Sequence, residues 1–204
     1  MIAVIDYGVG NLFSVSKAVE AVGAEVEVTG DADRIRAADK LILPGVGAFG
    51  DCMRNLQSAG LDGLIVDQIE SGKPLMGICV GLQILFEGSE ESPNVAGLGV
   101  FKGMIKRIRA EGLKIPHMGW NRVIRNEELG IRNGQLPRIT DSFFYFVHSY
   151  HAVPAERSII AATTDYGETL TAAVSRDNIF AVQFHPEKSG DVGLQVLKNF
   201  IGRA

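Results

Sequence analysis

Short apolar runs alternate with amphipathic stretches through the first half of the chain. Ile2 to Asp6 is a run of β-type residues stopped by Tyr7-Gly8, and Asn11 to Val22 spaces Leu12, Val15, Val19 and Val22 along one helical face. Ala24 to Thr29 alternates as a strand, and Lys40 to Leu43 reads as a third strand closed by Pro44. Segments 48–58 and 61–71 carry helical spacing, Pro74 to Cys79 reads as a fourth strand, and Val80 to Glu87 opens another helix. Strands alternating with helices predict right-handed crossovers and a mainly parallel central sheet flanked by helices.

After about residue 95 the pattern changes. Short β-rich runs at 98–101, 104–109, 121–124, 143–150, 158–164, 170–176 and 179–185 follow one another. Turn signals such as Arg132-Asn133-Gly134 and Asp165-Tyr166-Gly167 separate them. They predict antiparallel strands added to the sheet in the C-terminal half. Val192 to Ile201 carries Val192, Val196, Leu197 and Phe200 and reads as a closing helix. No linker, repeat or low-complexity segment divides the chain, so residues 1–204 read as a single α/β domain.

Composition narrows the setting. A net charge of -4 argues against a general electrostatic grip on nucleic acid. No run of about 18 apolar residues is long enough for a membrane span. The start, MIAVIDYGVGN, lacks the basic and long apolar regions of a signal peptide and reads as a strand entering the fold. Two cysteines, Cys52 and Cys79, exclude a disulfide scaffold and fit a cytosolic chain with reduced thiols. The 24 glycines exceed the usual share, and several stand where predicted strands end.

One of those places has the form of a nucleophile elbow. Gly77-Ile78-Cys79-Val80-Gly81 follows a strand and precedes a helix, with cysteine in place of serine. A nucleophile on so tight a turn leaves no room for Cβ atoms two residues before and after it. Cys79 would sit at a helix N-terminus, where the dipole favours thiolate, and the Val80 N–H would face a developing oxyanion. A buried core cysteine is the plain alternative. Cys52 lies in a helical stretch without a partner motif and reads as a packed or partly exposed bystander.

Four histidines compete as base. His185 ends the apolar run 179–184, and Pro186 keeps its backbone extended. Residues two apart in an extended segment share a side, so Glu187 is expected to hold one ring nitrogen while the other faces the thiol. His148 and His151 flank Ser149-Tyr150 in a predicted loop and could line a pocket, but no carboxylate cluster accompanies them as metal ligands would require. His117 is uninformative. Gly45 to Gly50 matches G-x-G-x-x-G, yet on the third strand, and Glu70, the acid at the right distance, ends a helix. Gly8-Val9-Gly10 has Phe13 where the third glycine belongs. A glycine loop of this kind can instead bring a backbone N–H to an oxyanion. No cofactor and no metal is expected.

The glycine loop, the cysteine elbow and His-x-Glu, in that order, resemble the class I, triad-type glutamine amidotransferases over nearly the whole chain. PGVGAFG at 44–50, GICVGLQILFEGSEE at 77–91, PHMGWN at 116–121 and FVHSY at 146–150 are similar to one branch of that family. Its members are glutaminase subunits of histidine biosynthesis that form a heterodimer with a (β/α)8-barrel cyclase subunit. The resemblance implies a flavodoxin-like α/β fold, with Cys79, His185 and Glu187 as the catalytic triad acting on glutamine through a thioester. It further implies Val80 and Val46 as oxyanion donors, and Gly47, Gln83, Glu91, Ser149 and Tyr150 as substrate-binding residues. Asn11, Trp120 and Lys188 would face the cyclase, which receives ammonia through an interior channel. For Gln83 a surface-facing helix position is the alternative, and for Trp120 a core position. Two rival functions remain open: a glutaminase serving another ammonia-channelling synthase, and a non-enzymatic sensor built on Cys79.

Overall fold

The computed structural model describes residues 1–126 and 141–202, so the Arg132-Asn133-Gly134 turn signal lies outside the described residues. Five parallel strands form one half of the main sheet: β1 (Ile2–Ile5), β2 (Val26–Thr29), β3 (Lys40–Gly45), β4 (Leu75–Cys79) and, from far along the chain, β12 (Ile179–Val182). Their order is β2-β1-β3-β4-β12, the flavodoxin-like arrangement. Every residue of β1, β4 and β12 is buried, as expected of strands covered on both faces.

The connecting helices are α1 (Leu12–Ala21), α2 (Ala32–Ala37), α3 (Phe49–Ser58) and α4 (Asp62–Glu70), with α5 (Val80–Gln83) after β4. Helix α1 buries Val15 and Val19, two of the four residues on its predicted face. Helix α2 has no counterpart in the apolar periodicity. It is started by Asp31, whose carboxylate accepts from the N–H groups of Asp33 and Arg34, both at 2.9 Å. The closing helix α6 (Gly190–Ile201) buries Val196, Leu197 and Phe200.

Beyond β12 the main sheet turns antiparallel, through β11 (Thr169–Arg176), β10 (Ile160–Asp165), β7 (His117–Arg125) and β8 (Ser142–His148). A second sheet joins β5 (Phe86–Ser89), β6 (Phe101–Arg107) and β9 (Tyr150–Pro154). Two sequence expectations need correction here. The helix expected from Val80 to Glu87 stops after four residues, and Phe86 leaves it to pair with Phe101. Residues 82–86 are all buried, and a short apolar run bounded on every side has no periodicity to separate buried helix from strand. The run 143–150 is likewise two strands, with His148 ending β8 and His151 inside β9 rather than in a loop.

The antiparallel half curls back on the parallel one. Phe144 and Phe146 point inward from β8 and pack on Phe184, just past β12, with ring centroids 4.2 and 5.9 Å away. All three are fully buried. The backbone N–H of His185 then donates to the Tyr145 carbonyl at 2.9 Å. This aromatic lock fixes the segment after β12 against β8. Phe184→Ala is expected to lower the unfolding free energy by about 3–5 kcal/mol in urea titrations; a loss below about 1 kcal/mol would show that the lock is unimportant.

Candidate active site

The carboxyl ends of β3, β4 and β12 lie side by side. Gly45 pairs with Cys79, and Ile78 with Val182, so the next position along β12 brings Gln183 beside Cys79. Cys79 has φ 56° and ψ -111°, a left-handed conformation that a residue with a Cβ rarely adopts. Glycines make the turn possible. A Cβ on Gly81 would collide with the Leu43 carbonyl oxygen, one on Gly77 would stand 2.9 Å from the Gly81 oxygen, and one on Gly45 would stand 2.7 Å from the Gly81 nitrogen. The crowding expected two residues either side of the thiol is therefore present, and β3 contributes to it. Because α5 has only four residues, little dipole accumulates behind the sulfur, and its environment is set by side chains.

His185 and Glu187 meet as expected but by another route. His185 is extended, with φ -101° and ψ 97°, and Pro186–Lys188 then forms a single 3-10 turn. Glu187 reaches back over that turn, rather than along an extended segment, to place Oε1 2.8 Å from His185 Nδ1. Both side chains are buried. Ser189, which the sequence pattern did not single out, accepts from the Tyr145 N–H at 3.0 Å and donates to the His185 carbonyl at 2.6 Å. The backbone of His185 is thus held on both sides. Burial works against a charge on the ring, but hydrogen bonds to Cys79 and Glu187, and their negative charges, outweigh it and raise its pKa to about 10.

Cys79, Val80, Gln83 and His185 line one cavity of about 360 Å³, with Val46, Gly47, Glu91, Ser149, Tyr150 and Lys188 around it. Val80 is the first residue of α5, where no preceding helical carbonyl takes its N–H. Gly47 has φ 86°, and the Val46 carbonyl accepts from Cys52 Sγ at 3.4 Å. Cys52 is fully buried, not partly exposed. Glu91 accepts the Phe49 N–H at 2.7 Å, and Ser92 the Gly50 N–H at 3.2 Å. The N-terminus of α3, where a dinucleotide's pyrophosphate would bind, is therefore already occupied by a carboxylate. Gln83 faces inward: its Nε2 donates to the Tyr150 carbonyl and to Gln183 Oε1, each at 3.0 Å. Gln183 was not anticipated. Its signal was a polar residue in an apolar strand end, two positions before His185 and so on the same side.

Of the three residues assigned to a partner face, Trp120 and Asn11 do not line the cavity of the thiol, whereas Lys188 does. Trp120 is 57% exposed on β7, edge-on to Tyr145 across the strand pair, with Met118 and Phe143 also exposed nearby. This resolves its alternatives in favour of the surface. Lys188 Nζ lies 5.9 Å from the Tyr145 ring centroid, linking that face to the cavity it lines. Asn11 precedes α1 at its N-cap position without a side-chain cap bond, next to Leu12 and the 73% exposed Phe13.

Known proteins resemble this chain closely. Residues 3–204 match the family Glutamine amidotransferase class-I. The imidazole glycerol phosphate synthase subunit HisH of Moorella thermoacetica is 54% identical over 199 residues, spanning 98% of this chain and 93% of the relative. The subunit of the same name from Acinetobacter baylyi is 50% identical over 201 residues, spanning 98% and 97%. In fold, the structure of PurLQS from Thermotoga maritima superposes with a TM-score of 0.74 at 24% identity, over 98% of this chain and 96% of that one. The chain belongs to the class-I glutamine amidotransferase family, and within it to the imidazole glycerol phosphate synthase subunits HisH.

Proposed function

We propose that this chain is the glutaminase subunit of an imidazole glycerol phosphate synthase, with Cys79, His185 and Glu187 as its catalytic triad. The observation that carries the reading is the buried His185–Glu187 pair facing, in one cavity, a cysteine held on a strained turn. The Cys79 sulfur attacks the side-chain amide carbon of glutamine, and the carbonyl oxygen becomes an oxyanion received by the Val80 N–H and the Val46 loop. The C–N bond then breaks, and ammonia leaves with a proton from His185. Water attacks the resulting thioester and gives its proton to His185, releasing glutamate and restoring the sulfur. A pKa of about 10 suits this order, because His185 carries the proton it must donate at neutral pH.

Around the reacting atoms, Gly47, Gln83, Glu91, Ser149 and Tyr150 bound the space for glutamine. Gln83 does so with its amide already committed to Tyr150 and Gln183, so it shapes the wall, and Glu91 also holds the loop it borders. The cyclase docks across Asn11, Trp120 and Lys188, where an exposed tryptophan beside a cation and apolar neighbours suits an interface anchor. Ammonia passes to that (β/α)8-barrel subunit, which makes imidazole glycerol phosphate and an aminoimidazole-carboxamide ribonucleotide in the cytoplasm. Among the described residues no helix is long and apolar enough to cross a membrane.

Cys79→Ala, assayed for ammonia release with the cyclase subunit and its ligand present, is expected to lose glutaminase activity by roughly a thousandfold or more. Turnover near the unmutated rate would overturn the assignment and favour a sensor role. Trp120→Ala should weaken binding to the cyclase by about 2 kcal/mol, roughly thirtyfold in Kd by titration calorimetry; an unchanged Kd places the interface elsewhere. His185 binds its proton more tightly folded, at about 10, than unfolded, at about 6.5. Its contribution to stability is complete below about pH 6.5 and is lost as pH rises through about 10. Glu187→Gln removes one of the groups that raise it. Between about pH 7 and 10 the unfolding free energy of the unmutated chain should therefore fall more steeply than that of the variant, and parallel curves would contradict the coupling.

A further inference from the structure

Gln183 is completely buried, and its side-chain Nε2 lies 3.7 Å from Cys79 Sγ. Which end of that amide faces the sulfur is decided by a chain of partners with fixed polarity. The Tyr150 carbonyl can only accept a hydrogen bond, so Gln83 must turn its Nε2 toward it. The second hydrogen of the same Nε2 goes to Gln183 Oε1 at 3.0 Å. With its oxygen committed to Gln83, Gln183 presents its N–H groups on the other side, to Cys79.

The Tyr150 carbonyl is itself anchored from the opposite direction. His148 Nδ1 lies 2.9 Å from it and must donate. Burial holds the His148 and His117 rings neutral, with pKa values lowered to about 3 and about 4. His148 Nε2 is then an acceptor and receives His117 Nδ1–H at 2.9 Å. His117 Nε2 in turn receives Asn121 Nδ2 at 3.1 Å, whose other hydrogen goes to the Asp165 carbonyl at 2.7 Å. Donation runs from Asn121 through the two imidazoles to the Tyr150 carbonyl, which accepts from His148 and from Gln83 alike. The direction reverses there: from Gln83 Nε2, donation runs outward to Gln183 and on to the thiol.

We propose that Gln183 is a further member of the catalytic centre, donating an Nε2 hydrogen to the Cys79 sulfur as it becomes a thiolate. A donor to a sulfur gains strength when the sulfur becomes charged, so Gln183 favours the thiolate over the thiol. His185 supplies the mobile proton; Gln183 supplies a fixed one that is never transferred. The inference rests on Cys79 being the nucleophile.

The test follows Cys79 in the full chain by mass spectrometry of its peptide after iodoacetamide labelling across a pH series. Other titratable groups near the sulfur or in its cavity, namely His185, His148, Tyr7, Tyr150, Cys52, Glu91 and Lys188, are left in place. In Gln183→Met, which keeps bulk but has no donor, half-maximal labelling is expected about one pH unit higher. Glutamine kcat with the cyclase subunit should fall roughly tenfold, with KM within about twofold. Gln183→Glu, which puts an acceptor and a charge there, should shift labelling further. A labelling profile and kcat in Gln183→Met equal to those of the unmutated chain would overturn the proposal. Should the variants fail to fold, the side-chain amide signal of Gln183 in the 15N-labelled unmutated chain decides. Movement as Cys79 ionises, lost in Cys79→Ala, supports the bond, and a signal indifferent to that ionisation removes it. Full glutaminase turnover in Cys79→Ala would instead remove the underlying reading of the site, whatever Gln183 does.

Discussion

Cys79 sits at φ 56° and ψ -111°, a backbone region that costs a residue with a Cβ of order 1–3 kcal/mol. The rest of the site depends on that conformation being held. It turns the sulfur out of the end of β4 into a cavity instead of leaving it between the sheet and its helices. The surroundings that hold it are local and backbone-tight: Gly45 on the neighbouring strand, Gly77 before the turn and Gly81 after it leave no space for the chain to relax. Parallel strands buried on both faces supply the stiffness, and β12 brings the second half of the machinery to the same level. A sheet assembled from residues more than a hundred positions apart thereby places a thiol, an imidazole and an amide within one small volume.

Burial alone does not decide what a histidine does in this interior. His117, His148 and His185 are all buried, yet the first two are driven to low pKa values and the third to a high one. The difference lies in their partners. His148 faces a neutral carbonyl and another imidazole, and the hydrogen bond to the Tyr150 carbonyl is too weak to offset the penalty of burial. His185 faces a carboxylate and a sulfur that can both be negative, and their attraction exceeds the penalty of burial. His117 and His148 thus stay neutral at pH 7, while His185 holds its proton there.

Much of this was legible in the chain because the relevant signals are local. The β1 to β4 alternation, the Gly-x-Cys-x-Gly elbow and His-Pro-Glu each fit within a few residues, and the flavodoxin-like order follows from the alternation. What escaped depends on contacts across the fold. Phe86 looks helical until its pairing with Phe101 is known. Glu91 reads only as a pocket residue, with no sign that it also accepts the Phe49 N–H, and Ser189 has no signature apart from the two backbone groups it bridges. Trp120 carries the same sequence whether it faces core or solvent; only the pairing of β7 with β8 and the curl of that half decide its side. Glu187 reached His185 although the extended geometry expected between them is replaced by a 3-10 turn, because one residue of separation serves either path.

The two cysteines make the strongest case that equal burial can give two thiols different environments. Both are buried, and they sit close enough for a charge on one to raise the pKa of the other. Cys52 lies on α3, where burial outweighs the hydrogen-bonding contacts with Tyr7 and Val46 that favour its ionised form. Its thiol donates to the Val46 carbonyl, and its other neighbour is Tyr7, whose own hydroxyl is committed to the Pro44 carbonyl at 2.6 Å. Burial there pushes Cys52 up to about 11, so it stays a thiol, and as a thiol it can keep donating to the loop that borders the cavity. Cys79 differs in kind: it is flanked by an imidazole that carries a proton and by an amide whose N–H groups are turned toward it. One thiol thus holds the glycine loop, and the other opens into the cavity beside His185.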